Sequence, residues 1–281
     1  MVRVTRKKIV TILALLLLSG LCLAFWAFVF EPRRLTVNPQ TIRLADWPQG
    51  LQGLKIVLIS DIHAGARYID EAKLQRITAA ANARQPDLIL LAGDFVVGNE
   101  SGARFMPPET IAQNLKGFRA RLGVYAVMGN HDWWEGGPVI QRGLEQGGWR
   151  FLDNDAIRLE LNGQAFWLAG IGDAWTNHDD ISLALKKITD NSPILAFTHN
   201  PDLFTETPAR INLLMAGHTH GGQCAFPLLG RPVVPSKFGQ RFAIGHIVED
   251  GRHLYVTPGI GTSVYPVRFR VPPEITVLTL E

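Results

Sequence analysis

Asp61-Ile62-His63, Gly93-Asp94, Gly129-Asn130-His131-Asp132, Thr198-His199-Asn200 and Gly217-His218-Thr219-His220 are five short clusters of metal-ligating residue types. Each follows an apolar run of strand length: Leu54–Ser60, Leu88–Leu91, Val124–Met128, Ile194–Phe197 and Leu213–Ala216. The chain has eight histidines, and five of them (His63, His131, His199, His218 and His220) fall in these clusters, whereas His178, His246 and His253 do not. A lone Asp-x-His is usually a surface pair, but a set recurring at strand ends marks one site. Carboxylate, imidazole and amide ligands together suit Mn, Fe or Zn better than Ca or a thiolate site. Two such ions about 3.5–4 Å apart need a shared carboxylate to offset their repulsion. The pair lowers the pKa of a bridging water, which then serves as a nucleophile near neutral pH.

The elements that must position these residues follow from the same pattern. Continuous Leu/Ile/Val runs suit strands buried on both faces. Between them, Asp70–Ala83 reads as a helix with Asp70 as its cap and Leu74, Ile77 and Ala81 on one side. Pro108–Lys116, Pro138–Glu145 and Asp179–Ile188 are further helices. The alternation predicts a layered α/β fold, with ligands bound beyond the carboxyl ends of the strands. Two hairpins depart from it. Ala156–Leu161 and Gln164–Gly170 flank Asn162-Gly163, a type I′ turn signal. Phe242–Val248 and His253–Thr257 flank a second turn, and Glu274–Leu280 is the last strand. Part of the body is therefore antiparallel and belongs to a second sheet.

Taken in order, Asp61-x-His63, Gly93-Asp94, Gly129-Asn130-His131-Asp132, His199 and Gly217-His218-x-His220 resemble the signature of the calcineurin-like metallophosphoesterases, over about Leu54 to Glu281. The resemblance implies a four-layer α/β/β/α sandwich of two mixed sheets, with a dinuclear metal site at strand carboxyl ends. It implies that Asp61, His63, Asp94 and His220 hold one divalent ion. Asp94, Asn130, His199 and His218 would hold the other, with Asp94 bridging. The ions would be Mn, Fe or Zn. His131 matches the family's histidine near the leaving group, an acid or transition-state stabiliser. The implied activity is phosphodiester or pyrophosphate hydrolysis, by in-line attack of a metal-bridging hydroxide.

Gly217–Gln223, Pro227-Leu228-Leu229-Gly230, Gly259-Ile260-Gly261-Thr262, Pro266-Val267-Arg268 and Pro272-Pro273-Glu274-Ile275 narrow the resemblance. They are similar to a branch of membrane-associated bacterial phosphodiesterases, close to the UDP-2,3-diacylglucosamine pyrophosphatases of lipid A synthesis. The long helical lid of those pyrophosphatases has no counterpart here. The implied substrate is a membrane phospholipid or glycolipid. The nucleotide-lipid pyrophosphatase and a non-catalytic scaffold of the same fold are the alternatives.

Other residues carry smaller expectations. Arg268 would neutralise a substrate phosphate, or else is an exposed strand-end arginine. Ala225-Phe226-Pro227-Leu228-Leu229 is either core or an apolar lip facing lipid. Trp133 and Trp134 wall the site or fill the core. Asp132 orients His131 or caps a helix, and Cys224 is a small buried filler.

Composition bounds the remainder. Of 281 residues, 47% are hydrophobic and 19% charged, which excludes a disordered chain. Two cysteines, Cys22 and Cys224, exclude a disulfide scaffold. Residues 1–34 hold six of the 28 basic residues and one of the 25 acidic ones, so the rest carries 22 basic and 24 acidic groups. The body therefore has no electrostatic case for a nucleic-acid partner. Ile9–Phe30 is uncharged over 22 residues, about 33 Å as a helix and long enough to span a bilayer. A cleaved signal peptide competes with this anchor, but Phe25, Trp26, Phe28, Phe30 and Glu31-Pro32 make a poor cleavage site. Arg3, Arg6, Lys7 and Lys8 favour an inside N-terminus, against Arg33, Arg34 and Arg43 across the run. The expected organisation is a basic tail and anchor over 1–30, a connector with Pro32, Pro39 and Pro48 over 31–50, and a catalytic domain over 51–281. The expected location is a single pass through a bacterial inner membrane, with the catalytic domain periplasmic.

Overall fold

In the computed structural model, which describes residues 6–98 and 101–281, the strand runs build two sheets. Chain order gives β1 (Thr36–Ile42), β2 (Leu54–Ile59), β3 (Leu88–Ala92), β4 (Val124–Val127) and β5 (Arg150–Phe151). Then follow β6 (Asp155–Leu161), β7 (Gln164–Ile171), β8 (Ile194–Thr198), β9 (Leu213–Ala216), β10 (Gly245–Glu249), β11 (Arg252–Val256) and β12 (Glu274–Leu280). The first sheet is ordered β1-β12-β2-β3-β4-β5 and the second β10-β11-β9-β8-β7-β6. Both are mixed. In the first, β12 runs parallel to β1 and antiparallel to β2, while β2 to β5 are parallel. In the second, β6 and β10 are the antiparallel edges of a parallel centre, β7-β8-β9-β11.

Strand periodicity sorts the side chains into three cores. Leu54, Ile56 and Leu58 of β2 point between the sheets, where they meet Phe166, Leu168, Leu195 and Phe197 from the second sheet. Val57 and Ile59 point the other way, under the helices α2 (Glu71–Asn82), α3 (Pro108–Leu115) and α5 (Gly137–Leu144). The far face of the second sheet presents Trp167, Ala169, Ala196 and Leu214 to α6 (Ile181–Leu185) and to Leu203, Phe204 and Phe242. Three cores between four layers are the expected α/β/β/α sandwich. Truncating a fully buried side chain such as Leu58 or Phe197 to alanine would cost about 2–5 kcal/mol.

Local signals place these elements. The Asp70 carboxylate accepts the Lys73 N–H at 2.8 Å and starts α2, whose Leu74, Ile77 and Ala81 are buried as the periodicity predicts. Asn162 (φ 51°) and Gly163 (φ 77°) both adopt the left-handed conformation that the hairpin turn requires.

The connector expected over 31–50 is corrected in part. Its residues 36–42 form β1, in register with β12 from Thr36 opposite Glu274 to Ile42 opposite Leu280. Three prolines suggested a linker, but Pro39 is tolerated because β1 is an edge strand, where a missing N–H costs no ladder bond.

The N-terminal helix α1 (Arg6–Phe25) continues as a π turn over Trp26–Phe30 and a 3₁₀ turn over Glu31–Arg33. The span Arg6–Arg33 is long and apolar enough to cross a membrane, and its large side chains are exposed. Its end is tied to the body. The Arg268 N–H donates to Ala27 O at 2.9 Å and Tyr68 Oη to Phe28 O at 2.7 Å. Lys73 Nζ donates to Arg33 O and Arg34 O at 2.9 and 2.6 Å.

Candidate metal centre

The five clusters meet at one end of the two sheets. β2, β3 and β4 deliver Asp61 and His63, Asp94, and Asn130 and His131; β8 and β9 deliver His199, and His218 and His220. The chain must turn sharply at each strand end to aim these side chains at a common point. Asp61, His63, Asp94, His218 and His220 all have φ between 46° and 69°. A left-handed non-glycine residue costs on the order of 1–3 kcal/mol and persists where the surroundings enforce it, most often at functional sites. Two glycines make the close approach feasible. A Cβ on Gly93 would stand 2.8 Å from His199 Nδ1, and one on Gly129 would strike Asp94 Oδ1.

The ligand atoms form two overlapping groups. In one, His63 Nε2 lies 3.2 Å from His220 Nε2 and 3.5 Å from Asp94 Oδ2, and His220 Nε2 lies 3.4 Å from Asp61 Oδ1. In the other, His199 Nε2 lies 3.2 Å from Asp94 Oδ2, 3.1 Å from Asn130 Oδ1 and 3.2 Å from His218 Nδ1. Asp94 Oδ2 belongs to both. Its other oxygen, Oδ1, accepts the backbone N–H of His131 at 2.9 Å.

These donors fit divalent ions. Imidazole nitrogens 3.2 Å apart, with carboxylate oxygens beside them, are disposed as ligands around a common ion. Asp61 Oδ1 is buried and has no hydrogen-bond partner among the described residues. His199 Nδ1 donates to Ala92 O at 2.7 Å, which leaves Nε2 as the nitrogen able to coordinate a metal.

The electrostatics agree. Burial lowers His63 to about 3 and holds His218 and His220 well below the usual histidine range, so all three are neutral, the form that can coordinate a metal. His199 goes the other way. Burial alone would depress it, but the carboxylates of Asp94, Asp61 and Asp173 raise it well above its ordinary value. Burial likewise would raise Asp94, but His199, His131 and His63 hold it well below the carboxylate range. Without metal, a proton on His199 neutralises the negative potential that a divalent ion would otherwise neutralise.

Asp132 frames the centre from below. One of its oxygens accepts the N–H groups of Asp94 and Gly129, both at 2.9 Å. The other accepts those of Phe95 and Val96 at 2.9 and 3.1 Å. Of the two expected roles, capping is what the structure shows. Asp132 caps the short helix α4 (Asn130–Trp134) and also ties it to the loop that carries Asp94. Burial and the Asp94 charge raise its pKa to about 7, against the pull of the backbone bonds from Gly129 and Val96.

The calcineurin-like phosphoesterase sequence model matches residues 54–222, which hold every one of these ligands. The chain belongs to the calcineurin-like phosphoesterase family. It is accordingly a metal-dependent phosphoester hydrolase. An uncharacterized metallophosphoesterase of Bacillus subtilis, YkuE, is 29% identical over 91% of this chain and 89% of its own length. Phosphodiesterase YaeI of Escherichia coli is 31% identical over 85% of this chain and 86% of its own. A zebrafish (Danio rerio) transmembrane protein with a metallophosphoesterase domain is 31% identical over 96% of this chain and 62% of its own.

For this calcineurin-like phosphoesterase, the structure brings seven expected ligands and His131 together. His131 is half-buried, its ring 4.8 Å from that of His63 and 5.1 Å from that of Trp134. Arg268 is the correction. It is fully buried, and its guanidinium donates to the carbonyls of Gly261, Val271, Pro258 and Gly259. Those bonds stitch the 258–271 loop together, and the burial of the side chain holds it away from a solvent-borne phosphate. The expected apolar segment is a lip and not core, since Leu228 and Leu229 are exposed. Cys224 is half-buried beside it. Trp134 is exposed at the mouth, whereas Trp133 stacks on His178 at 3.6 Å.

Sequence reasoning missed Asp173 and Trp175. The Trp175 ring stands edge-on to His218 at 4.3 Å, and the Asp173 carboxylate accepts the Thr176 N–H at 2.9 Å and its hydroxyl at 2.7 Å. The signal was present: Gly172-Asp173 follows the apolar run of β7 just as Gly93-Asp94 follows that of β3. Reading β7 only as a hairpin arm hid it.

Proposed function

We propose that the chain is a phosphodiesterase using two divalent ions on a membrane phospholipid or glycolipid. The observation that carries this reading is Asp94 Oδ2, which stands within 3.5 Å of both His63 Nε2 and His199 Nε2. Asp61, His63, Asp94 and His220 would hold one ion, and Asp94, Asn130, His199 and His218 the other. Mn, Fe or Zn would supply Lewis acidity to the phosphoryl oxygens and a nucleophile at neutral pH. The residues around them do the rest. Asp94 is fixed from two sides: the His131 N–H donates to its carboxylate, and its own backbone N–H donates to the Asp132 carboxylate. The neutral imidazoles of His63, His218 and His220 present lone pairs without competing protons. His131, half-buried at the edge, gives its ring proton to the departing oxygen. Hydrolysis of bis(4-nitrophenyl) phosphate by the full chain with added Mn²⁺ tests this. Turnover is expected, and no turnover with any divalent metal would reject it.

The apolar helix over Arg6–Arg33 supports a single-pass anchor, with 51–281 as the catalytic unit. Arg6, Lys7 and Lys8 before the run, with Arg3, support a cytoplasmic N-terminus in a bacterial inner membrane and a catalytic domain outside the cytoplasm. An anchored site meets lipid phosphodiesters at a high local concentration. A reporter active only in the periplasm, fused after Glu281, should be bright. A silent one, with a bright cytoplasmic reporter, would reverse the topology.

A further inference from the structure

A cavity of about 420 Å³ adjoins the metal centre on the side of His220. Apart from His220 and a few small polar groups, its walls are apolar: Phe226, Pro232, Val233, Val264, Tyr265 and Val267 among them. Of its lining, Phe226, Val233, Val264 and Tyr265 are exposed, as are Leu228 and Leu229, which follow Phe226 closely in the chain. Soluble surfaces rarely leave so many large apolar side chains adjacent and uncovered. The same wall is where the membrane-length helix lands. Val267 lines the cavity, and the next residue, Arg268, donates its N–H to Ala27 O at the end of the apolar run. The helix end, the apolar rim and the cavity mouth thus share one side of the molecule, and the cavity leads from that side to a metal ligand.

We infer that this cavity is the acyl subsite of the enzyme: it receives a hydrocarbon chain of the membrane lipid whose phosphodiester lies at the metal centre. The inference rests on the phosphodiesterase reading above. It adds where the lipid tail goes, through Cys224, Phe226, Val233 and Val267, and how it arrives, by lateral entry over Leu228 and Leu229. A pocket of this size and lining is of the kind that buries an apolar ligand, and His220 in its wall joins it to the proposed metal centre.

Two measurements on the full chain decide it. In the first, nanodiscs of phosphatidylglycerol and phosphatidylethanolamine carry a phospholipid with a diazirine on its acyl chain. Light expels nitrogen, and the resulting carbene inserts into the nearest C–H or heteroatom bond. Adducts on Cys224 and Val267, inside the cavity, are expected. Adducts confined to α1, Leu228 and Leu229 would overturn the inference and leave only a lip resting on lipid. This readout needs no turnover.

In the second, 4-nitrophenyl phosphodiesters with methyl, butyl and octyl chains are hydrolysed in one detergent by the wild type and by Val233→Asp. The shared detergent cancels chain partitioning between the two proteins. The wild type should gain up to about fourfold in kcat/KM per methylene buried, the transfer free energy of one CH₂. The octyl-to-methyl ratio should fall towards one in Val233→Asp, whose side chain at this exposed position has room in the fold. An equal ratio in the two proteins, with turnover present, overturns the acyl subsite alone. No turnover of any ester rejects the phosphodiesterase reading, and the photolabelling then still decides whether a chain occupies the cavity.

Discussion

The two sheets hold their ligands in different ways. Those from the first sheet are locked by backbone hydrogen bonds. Asp94 lies between the His131 N–H on its carboxylate and the Asp132 carboxylate on its own N–H, and Asp61 N–H donates to Gly93 O at 2.9 Å. Those from the second sheet lean on their neighbours. His218 is fixed through its N–H on Asp61 Oδ2 at 3.0 Å, while its Nε2 and the Nδ1 of His220 have no hydrogen-bond partner among the described residues. His199 is the exception, and its partner is the carbonyl of Ala92, at the end of a first-sheet strand. The first sheet thus supplies a preformed carboxylate frame. The second supplies His218 and His220, neutral imidazoles whose places bound metal would complete.

Breaking the frame should do the most damage. Asp94→Asn removes the charge common to both groups, so metal content and turnover should collapse together, as atomic absorption and a phosphodiester assay would show. Activity persisting with full metal content would contradict the shared role. His131→Ala should keep its metal and lose turnover by about 10²–10⁴-fold, as expected for loss of a general acid. Metal loss equal to that of Asp94→Asn would place His131 among the ligands instead. Asp132→Asn should be milder. It turns one buried acceptor towards backbone N–H groups as a donor, and should lower metal affinity by about 10–100-fold, the range for residues supporting ligands. Unchanged affinity would reduce Asp132 to a helix cap.

The smallest effect is on pH dependence. His199 is raised above its ordinary 6.5 and Asp132 from 3.8 to about 7, so the folded metal-free chain holds protons that the unfolded chain has released. Stability from such groups is complete below their unfolded values and is lost as pH rises through the folded ones. His63, His218, His220, His246 and His253 are lowered, so the unfolded chain binds protons there that the folded chain lacks, an opposing slope centred on 6.5 that fades by about pH 7.5. Lys73, lowered to about 8 by burial, opposes it only above that pH. The metal-free Tm should therefore decline between about pH 7 and about 8, whereas with saturating Mn²⁺ the decline should vanish, because the ion replaces the proton. Parallel slopes with and without metal would contradict this.

Much of this was legible in the sequence because strand ends and ligands are adjacent in the chain. The run Leu54–Ile59 announces a doubly buried strand, and Asp61-x-His63 follows at once. What was hidden depends on long-range placement. Arg268 reads as a surface charge until the carbonyls of the 258–271 loop are seen around it. Pro39 reads as linker until β12 is found beside it. The Asp132 ties to Asp94, Phe95 and Val96 span more than thirty residues, and no local pattern encodes them. The cavity beside His220 needs the 224–235 and 263–267 loops folded together, which composition alone does not reveal.

Calorimetric titration of the metal-free full chain with Mn²⁺ bears most directly on the shared carboxylate. Two ions per chain are predicted for the wild type and for His131→Ala, and neither bound tightly by Asp94→Asn. A single ion per wild-type chain, or two retained by Asp94→Asn, would contradict a centre built around Asp94.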